Sequence, residues 1–147
     1  MKKVPLFCIL MILLITGFVR GQETSASSIN PEDPAFREKF SHLTFGGKFY
    51  ILAVKDAVNN YYMADFTQLP GKFERVYFIS LVNKQDKIVS IDSDLSQDRV
   101  WFMVNNKYSD KEAGTWFNQL RDETLKATSA LSAEEKAAWM LKNDKFN

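Results

Sequence analysis

The 147-residue sequence predicts an α+β fold: a mostly antiparallel, five-stranded sheet arranged as a meander, with a short N-terminal helix and two C-terminal helices packed on one face. Three observations predict it. The middle of the chain holds consecutive segments rich in β-branched and aromatic residues, the connections between them are short, and the clearest helix-start signals lie in the last third. A run of strands followed by helices is typical of α+β domains, whereas regular alternation would indicate a parallel sheet.

The first predicted helix begins after a polar stretch that ends near Asn30. Asn30 or Asp33 can cap its start, and Pro31 or Pro34 suits a first helical position. The pair Gly46-Gly47 is expected to end it. Its apolar residues recur at helical spacing: Phe36, Phe40 and Leu43.

Five strands are predicted from composition and turn signals, over residues 48–55, 61–67, 73–82, 87–91 and 99–104. Asn59-Asn60 is expected to turn the chain between the first two, and residues 83–86 to close a hairpin between the third and fourth. The segment 48–55 also matches a helical period, so a helix is the alternative there. The segment 73–82 is apolar on both faces over its second half, which favours a central strand covered on both sides.

Two C-terminal helices are predicted from capping boxes, in which a serine and a glutamate three residues later satisfy backbone donors at a helix start. Ser109 with Glu112 opens the first helix and Ser132 with Glu135 opens the second. Each helix has a predicted apolar face. The residues of these faces are Ala113, Trp116, Phe117, Leu120, Thr124 and Ala127 in the first, and Ala133, Ala137, Met140 and Leu141 in the second.

The first 21 residues have the three-part pattern of a secretory signal peptide. Lys2 and Lys3 form a positive start, residues 4–19 form an apolar core, and Gly21 is a small residue before a polar run. We expect cleavage between Gly21 and Gln22, a flexible leader over residues 22–30 and a single domain over residues 31–147. The alternative is an uncleaved N-terminal anchor, but the core is shorter than the roughly 20 apolar residues that span a membrane.

Removal of the signal peptide changes the charge and the thiol content of the chain. The precursor carries a net charge of +1, and the loss of Lys2, Lys3 and Arg20 leaves 16 basic and 18 acidic residues, or −2. A balanced surface without a basic block argues against nucleic acid as a partner. Cys8 is the single cysteine and lies in the apolar core, so the mature chain is expected to have no disulfide or thiol chemistry. The Met-Lys-Lys start and the absence of Asn-x-Ser/Thr sequons favour a bacterial envelope protein.

The most suggestive polar loop spans residues 92–98, because three carboxylates fall within it: Asp92, Asp94 and Asp98. Carboxylate oxygens are ligands that Ca²⁺ takes, so these residues are a candidate metal site. The loop departs from an EF-hand, since its sixth position is Gln97 rather than glycine and its twelfth is Met103 rather than glutamate. The alternative is a solvated turn in which Asp and Ser bond their own backbone.

Three aromatic residues are predicted as surface contacts for a ligand or partner: Tyr61, Tyr62 and Trp139. Trp139 lies off the apolar stripe of its own helix, so it either packs on a neighbour or marks a contact site. His42 is the single histidine, which excludes a multi-histidine metal cluster and favours a surface or helix-end role over catalysis. No motif for a cofactor is found in the sequence, and none is predicted.

These patterns predict an exported, non-enzymatic binding or interaction module of the periplasm or extracellular space, with a protein or envelope component as its partner and no transmembrane anchor after cleavage. Two alternatives stay open. One is a small hydrolase that uses carboxylates in a cleft, and the other is a carrier of a small apolar ligand between sheet and helices. Convergent carboxylates would favour the hydrolase, and a closed apolar cavity the carrier.

Overall fold

The described part of the chain has an α+β fold, built on a four-stranded antiparallel sheet with four α-helices. The structure, a computed structural model, describes residues 30, 33–91 and 95–143. The predicted signal peptide and residues 22–29 of the predicted leader lie outside this part. The elements in chain order are α1 Pro34–Lys39, β1 Tyr50–Lys55, β2 Asn59–Asp65, a 3₁₀ turn Phe66–Gln68, α2 Lys72–Val82, β3 Ile88–Ile91, β4 Arg99–Asn105, α3 Asp110–Ser129 and α4 Ala133–Lys142.

The strands lie in the order β1-β2-β4-β3, and each neighbouring pair is antiparallel. The central pair is β2 with β4, which are in register from Asn59 opposite Asn105 to Asp65 opposite Arg99. The chain leaves β2, passes through α2, forms the edge strand β3 and returns to the centre as β4. The α+β class and the antiparallel sheet are therefore confirmed, whereas the prediction of a five-stranded meander is wrong.

The segment predicted as the third of five strands, residues 73–82, is instead the helix α2. The helix buries residues around most of its circumference, because it lies against the sheet on one side and packs against α3 on another. A helix enclosed in this way has the same continuous apolar run as a central strand, and periodicity does not separate the two. Residues 83–86 accordingly join a helix to a strand and do not close a hairpin.

The connection between β1 and β2 is a tight turn at residues 56–58. The Asp56 carboxylate accepts hydrogen bonds from the backbone N–H groups of Val58 and Asn59, at 2.6 and 2.9 Å. Asn59 and Asn60 belong to β2, so the turn predicted at that pair is wrong by a few residues. The strand predicted at residues 48–55 is confirmed as β1 and its helical alternative is excluded.

The two faces of the sheet are covered by different elements. On the first face, Tyr62, Phe102 and their neighbours pack against α2 and α3 and form the larger core, which contains Phe66, Phe78 and Phe117. On the second face, Tyr61, Met63 and Trp101 are covered by α1 and the segment that follows it. The N-terminal helix therefore lies on the opposite side of the sheet from α2 and α3, which corrects the prediction that the helices share one face.

The N-terminal helix is shorter than predicted. Asp33 caps it, accepting a hydrogen bond from the Ala35 backbone at 2.9 Å, but the helix ends at Lys39. Gly46 and Gly47, predicted to end the helix, form a separate turn before β1, where φ values of +56° and +80° require residues without a Cβ.

Both predicted capping boxes are confirmed, at the start of α3 and of α4. The apolar face predicted for α3 is buried, apart from Ala127, which is half-buried. The face predicted for α4 is wrong: Ala133 and Ala137 are exposed and Leu141 is 82% exposed. Within the described residues, no helix is both long and apolar enough to cross a membrane.

Candidate functional site

The structure buries two of the three predicted contact residues. Tyr61 is 3% and Tyr62 is 0% exposed, so the prediction that they lie at the surface is wrong. As neighbours on a strand they point to opposite faces of the sheet. Tyr62 packs against Phe117 in the larger core, and the Tyr61 ring lies 6.4 Å from that of Phe36 on the second face.

Trp139 packs on a neighbouring helix. Its ring lies 5.5 Å from Phe73 and 5.3 Å from Tyr77, and both of these residues belong to α2. One turn earlier, the Lys136 ammonium donates to the buried Glu74 carboxylate at 2.8 Å. These contacts attach α4 to α2 and account for the position of Trp139 off the predicted stripe.

The candidate metal loop is described only in part. Asp92 and Asp94 lie outside the described residues, and Asp98 forms an ion pair with Arg75 at 3.0 Å. In the described part of the chain, no group of three or more His, Cys, Asp or Glu side chains is placed to hold a metal ion. His42 is exposed in the segment that follows α1. A calcium site at the Asp92–Asp98 loop therefore stays a prediction.

A groove that the sequence did not indicate opens on the second face of the sheet, where the six-residue α1 covers only part of the strands. Its volume is about 450 Å³. Residues of α1, of the segment after it, of β2, of β4 and of the loop before β4 line it: Arg37, Glu38, Phe40, Ser41, Met63, Gln97, Arg99 and Trp101.

The floor of the groove is apolar and well packed. Met63 and Trp101 face each other across β2 and β4, and they are 2% and 3% exposed. Phe40 lies edge-on to Trp101, with ring centroids 5.8 Å apart. Because the rings are held by strand pairing and by one another, this floor is formed before any ligand arrives.

The rim of the groove is polar, and its described residues carry two guanidinium groups and one carboxylate. Arg37 donates from Nη1 to the Gln97 side-chain oxygen at 2.6 Å. Arg99 donates from Nη1 to the Ser41 carbonyl at 2.9 Å, and its guanidinium lies 5.5 Å from the centre of the Phe45 ring. With Glu38 as the carboxylate, the charged side chains among the described lining residues sum to a positive charge.

A signal for part of this site is present in the sequence. In a strand, alternate residues share a face, so Arg99 and Trp101 must lie together on the side opposite Val100 and Phe102. No comparable pattern in the sequence predicts that Arg37 lies near Arg99 and Trp101, because that proximity depends on how α1 packs against the sheet.

Comparison with protein-family models, with functionally described proteins and with solved structures found no significant match to this chain.

Tyr62 makes the stability of the protein sensitive to high pH. Burial, followed by the negative charge of Asp110, raises the pKa of Tyr62 from 10.0 to about 12. Because the pKa of Tyr62 is higher in the folded than in the unfolded protein, its contribution to stability is fully present below pH 10. That contribution is lost as the pH rises from 10 through 12. The Tyr62 hydroxyl is also buried without a hydrogen-bond partner among the described residues.

We expect Tyr62→Phe to reduce the loss of stability between pH 10 and 12 and to leave the neutral protein as stable as wild type or about 1 kcal/mol more stable. Urea unfolding of both proteins across that pH range measures this. Burial also raises the pKa values of Tyr50 and Tyr61, which the variant retains. We therefore expect the variant to lose some stability over the same pH range. Identical alkaline profiles for the two proteins would contradict the prediction.

Proposed function

We propose that this protein is an exported, non-enzymatic binding module of the periplasm or extracellular space, and that the groove beside α1 is its binding site. One observation carries the proposal: a groove of about 450 Å³ joins a buried apolar floor to a rim of fixed polar groups. Sites for small ligands are commonly of this size, largely apolar, and equipped with a few polar groups that orient the ligand.

The composition of the groove favours binding over the two alternatives. A hydrolase that uses paired carboxylates needs two of them on either side of the reacting bond, and the described residues that line the groove include one, Glu38. A carrier for a purely apolar ligand needs an enclosed apolar cavity, whereas Ser41 and Glu38 form an exposed polar rim. Export is supported by the pattern of residues 1–21 and by the expected cleavage at Gly21.

A groove-filling variant tests whether partner binding depends on this site. Ser41 is exposed, lines the groove and contributes its backbone carbonyl to Arg99, so Ser41→Trp adds a ring to the groove and keeps that carbonyl. Ser129 is the matched control: each serine hydroxyl donates to the carbonyl three residues earlier, at 2.8 Å for Ser41 and 3.0 Å for Ser129, near a helix end.

The experiment expresses the full chain with a C-terminal tag in its source cells and identifies co-purified components by mass spectrometry. We expect wild type and Ser129→Trp to recover the same component, and Ser41→Trp to recover roughly a tenth as much, which corresponds to a loss of about 1.4 kcal/mol. Near-UV circular dichroism verifies that both variants are folded. Recovery of nothing reproducible, or equal recovery by Ser41→Trp, would overturn the proposal.

A further inference from the structure

We propose that the groove takes a small organic carboxylate with an apolar or aromatic body, and that Arg99 binds the carboxylate group. This inference rests on the proposed function, because it names the ligand class of the same groove.

Arg99 has donors that the described part of the chain leaves unused. Its guanidinium makes one hydrogen bond to the described residues, from Nη1 to the Ser41 carbonyl. Nε and Nη2, which share one edge of the planar group, have no acceptor among those residues. That edge matches the two oxygens of a carboxylate, and such two-point, charge-assisted pairs are among the stronger hydrogen bonds in proteins.

The Arg99 guanidinium is also held in position. Its Nη1 donates to the Ser41 carbonyl, and its central carbon lies over the Phe45 ring, 5.5 Å from the ring centre. Stacking on an aromatic face and a fixed hydrogen bond reduce the side-chain freedom that ligand binding would otherwise remove.

The guanidinium of Arg99 favours an anion over a cation or a neutral ligand. Among the described residues that line the groove, Arg37 and Arg99 are cationic and Glu38 is anionic. Arg37 donates to Gln97, whereas the Nε and Nη2 edge of Arg99 has no acceptor among the described residues. The apolar floor of Met63 and Trp101 keeps water from one side of the site, which strengthens a charged hydrogen bond.

The body of the ligand is accommodated by Phe40. This residue is half-buried and lies edge-on to Trp101, so a planar or aliphatic group in the groove gains an apolar contact beside the carboxylate. The volume of about 450 Å³ suits a molecule of one or two rings.

The test compares naphthoate with naphthamide, which share a ring system and differ in charge, by isothermal titration against the full chain. We expect naphthoate to bind the wild type at least about tenfold more tightly than naphthamide. Arg99→Met should reduce the affinity for naphthoate to that for naphthamide. Arg99→Lys keeps the charge but not the two-point geometry, so its affinity for naphthoate should lie between those of wild type and Arg99→Met.

Arg121→Met is the matched control. Arg121 also lies 5.5 Å from the centre of a phenylalanine ring, that of Phe49, and it hydrogen-bonds Gln68 and Asp122 away from the groove. We expect this variant to bind naphthoate as wild type does, which separates the loss of the Arg99 edge from a general effect of removing a stacked arginine.

Equal binding of naphthoate and naphthamide, no binding of either, or an unchanged preference in Arg99→Met would each overturn the carboxylate assignment. Binding of acidic peptides without binding of naphthoate would also overturn this assignment. If Ser41→Trp nevertheless prevents recovery of a partner, the groove remains the binding site and only the ligand class is wrong. If Ser41→Trp has no effect either, both proposals fall.

Discussion

Replacement of Arg75 by methionine is expected to lower the free energy of unfolding by about 3 kcal/mol. Arg75 lies on α2 and its guanidinium joins three separate parts of the chain. Nη1 donates to the carbonyls of residues 95, 96 and 97 at 3.0–3.2 Å. Nη2 donates to the Phe66 carbonyl at 3.2 Å and to the Asp98 carboxylate at 3.0 Å, and Nε donates to the Leu69 carbonyl at 3.4 Å.

The expected loss is large because methionine keeps the apolar stem of Arg75 and removes every one of these donors. The carbonyl oxygens around the partly buried guanidinium lose their protein partner together, and acceptors left without a partner destabilise the folded state. The loop before β4 is then held by fewer contacts. This loop supplies Gln97 to the groove, so the same change should also loosen one wall of the candidate site.

Urea unfolding of Arg75→Met and Asp98→Asn separates the role of the carbonyl contacts from that of the ion pair. The Asp98 side chain is 69% exposed, so the loss of its charge should cost less than about 1 kcal/mol. Similar effects for the two variants would show that the ion pair, and not the set of carbonyl contacts, holds the loop.

The part of the fold that could be predicted from sequence is the part that local chemistry determines. The capping boxes at Ser109 and Ser132 satisfy backbone donors within four residues, so they mark helix starts whatever the rest of the chain does. The strands β1, β3 and β4 are rich in β-branched and aromatic residues and also lie where they were predicted.

The errors concern elements whose environment is set by distant parts of the chain. The helix α2 was predicted as a strand because enclosure between the sheet and α3 removes its amphipathic pattern. In α4, the short stripe of alanine and leucine predicted the wrong face, since the partly buried ion pair of Lys136 and the ring of Trp139 decide which side meets α2. Neither interaction has a signal within the helix itself.

The candidate site was harder to predict than the fold. The sequence predicted two tyrosines and an acidic loop as contact sites. The groove is instead formed by α1, two strands and a loop, whose lining residues are up to 64 positions apart in the chain. The sequence contains the strand alternation that places Arg99 beside Trp101, but not the docking of α1 over them. A short helix that leaves part of a sheet face uncovered is a property of packing and not of a motif.

Replacement of Gly114 by alanine is expected to destabilise the protein by about 2 kcal/mol, although alanine is the better helix former by about 1 kcal/mol. Gly114 is buried inside α3, where glycine is otherwise unfavourable. A Cβ at this position would overlap the hydroxyl and the ring of Tyr50, which lies on β1 and stacks on Phe117 at 5.5 Å. Glycine here allows α3 to approach the edge of the sheet.

The Tyr50→Ala background provides the sharpest test, because removal of the ring removes the overlap. Tyr50→Ala itself lowers stability, but the added Gly114→Ala change should then raise it by about 1 kcal/mol, the ordinary helix preference for alanine. Urea unfolding of the two single variants, the double variant and wild type measures the coupling. If Gly114→Ala had the same sign in both backgrounds, contact with Tyr50 would not be the reason for a glycine inside this helix.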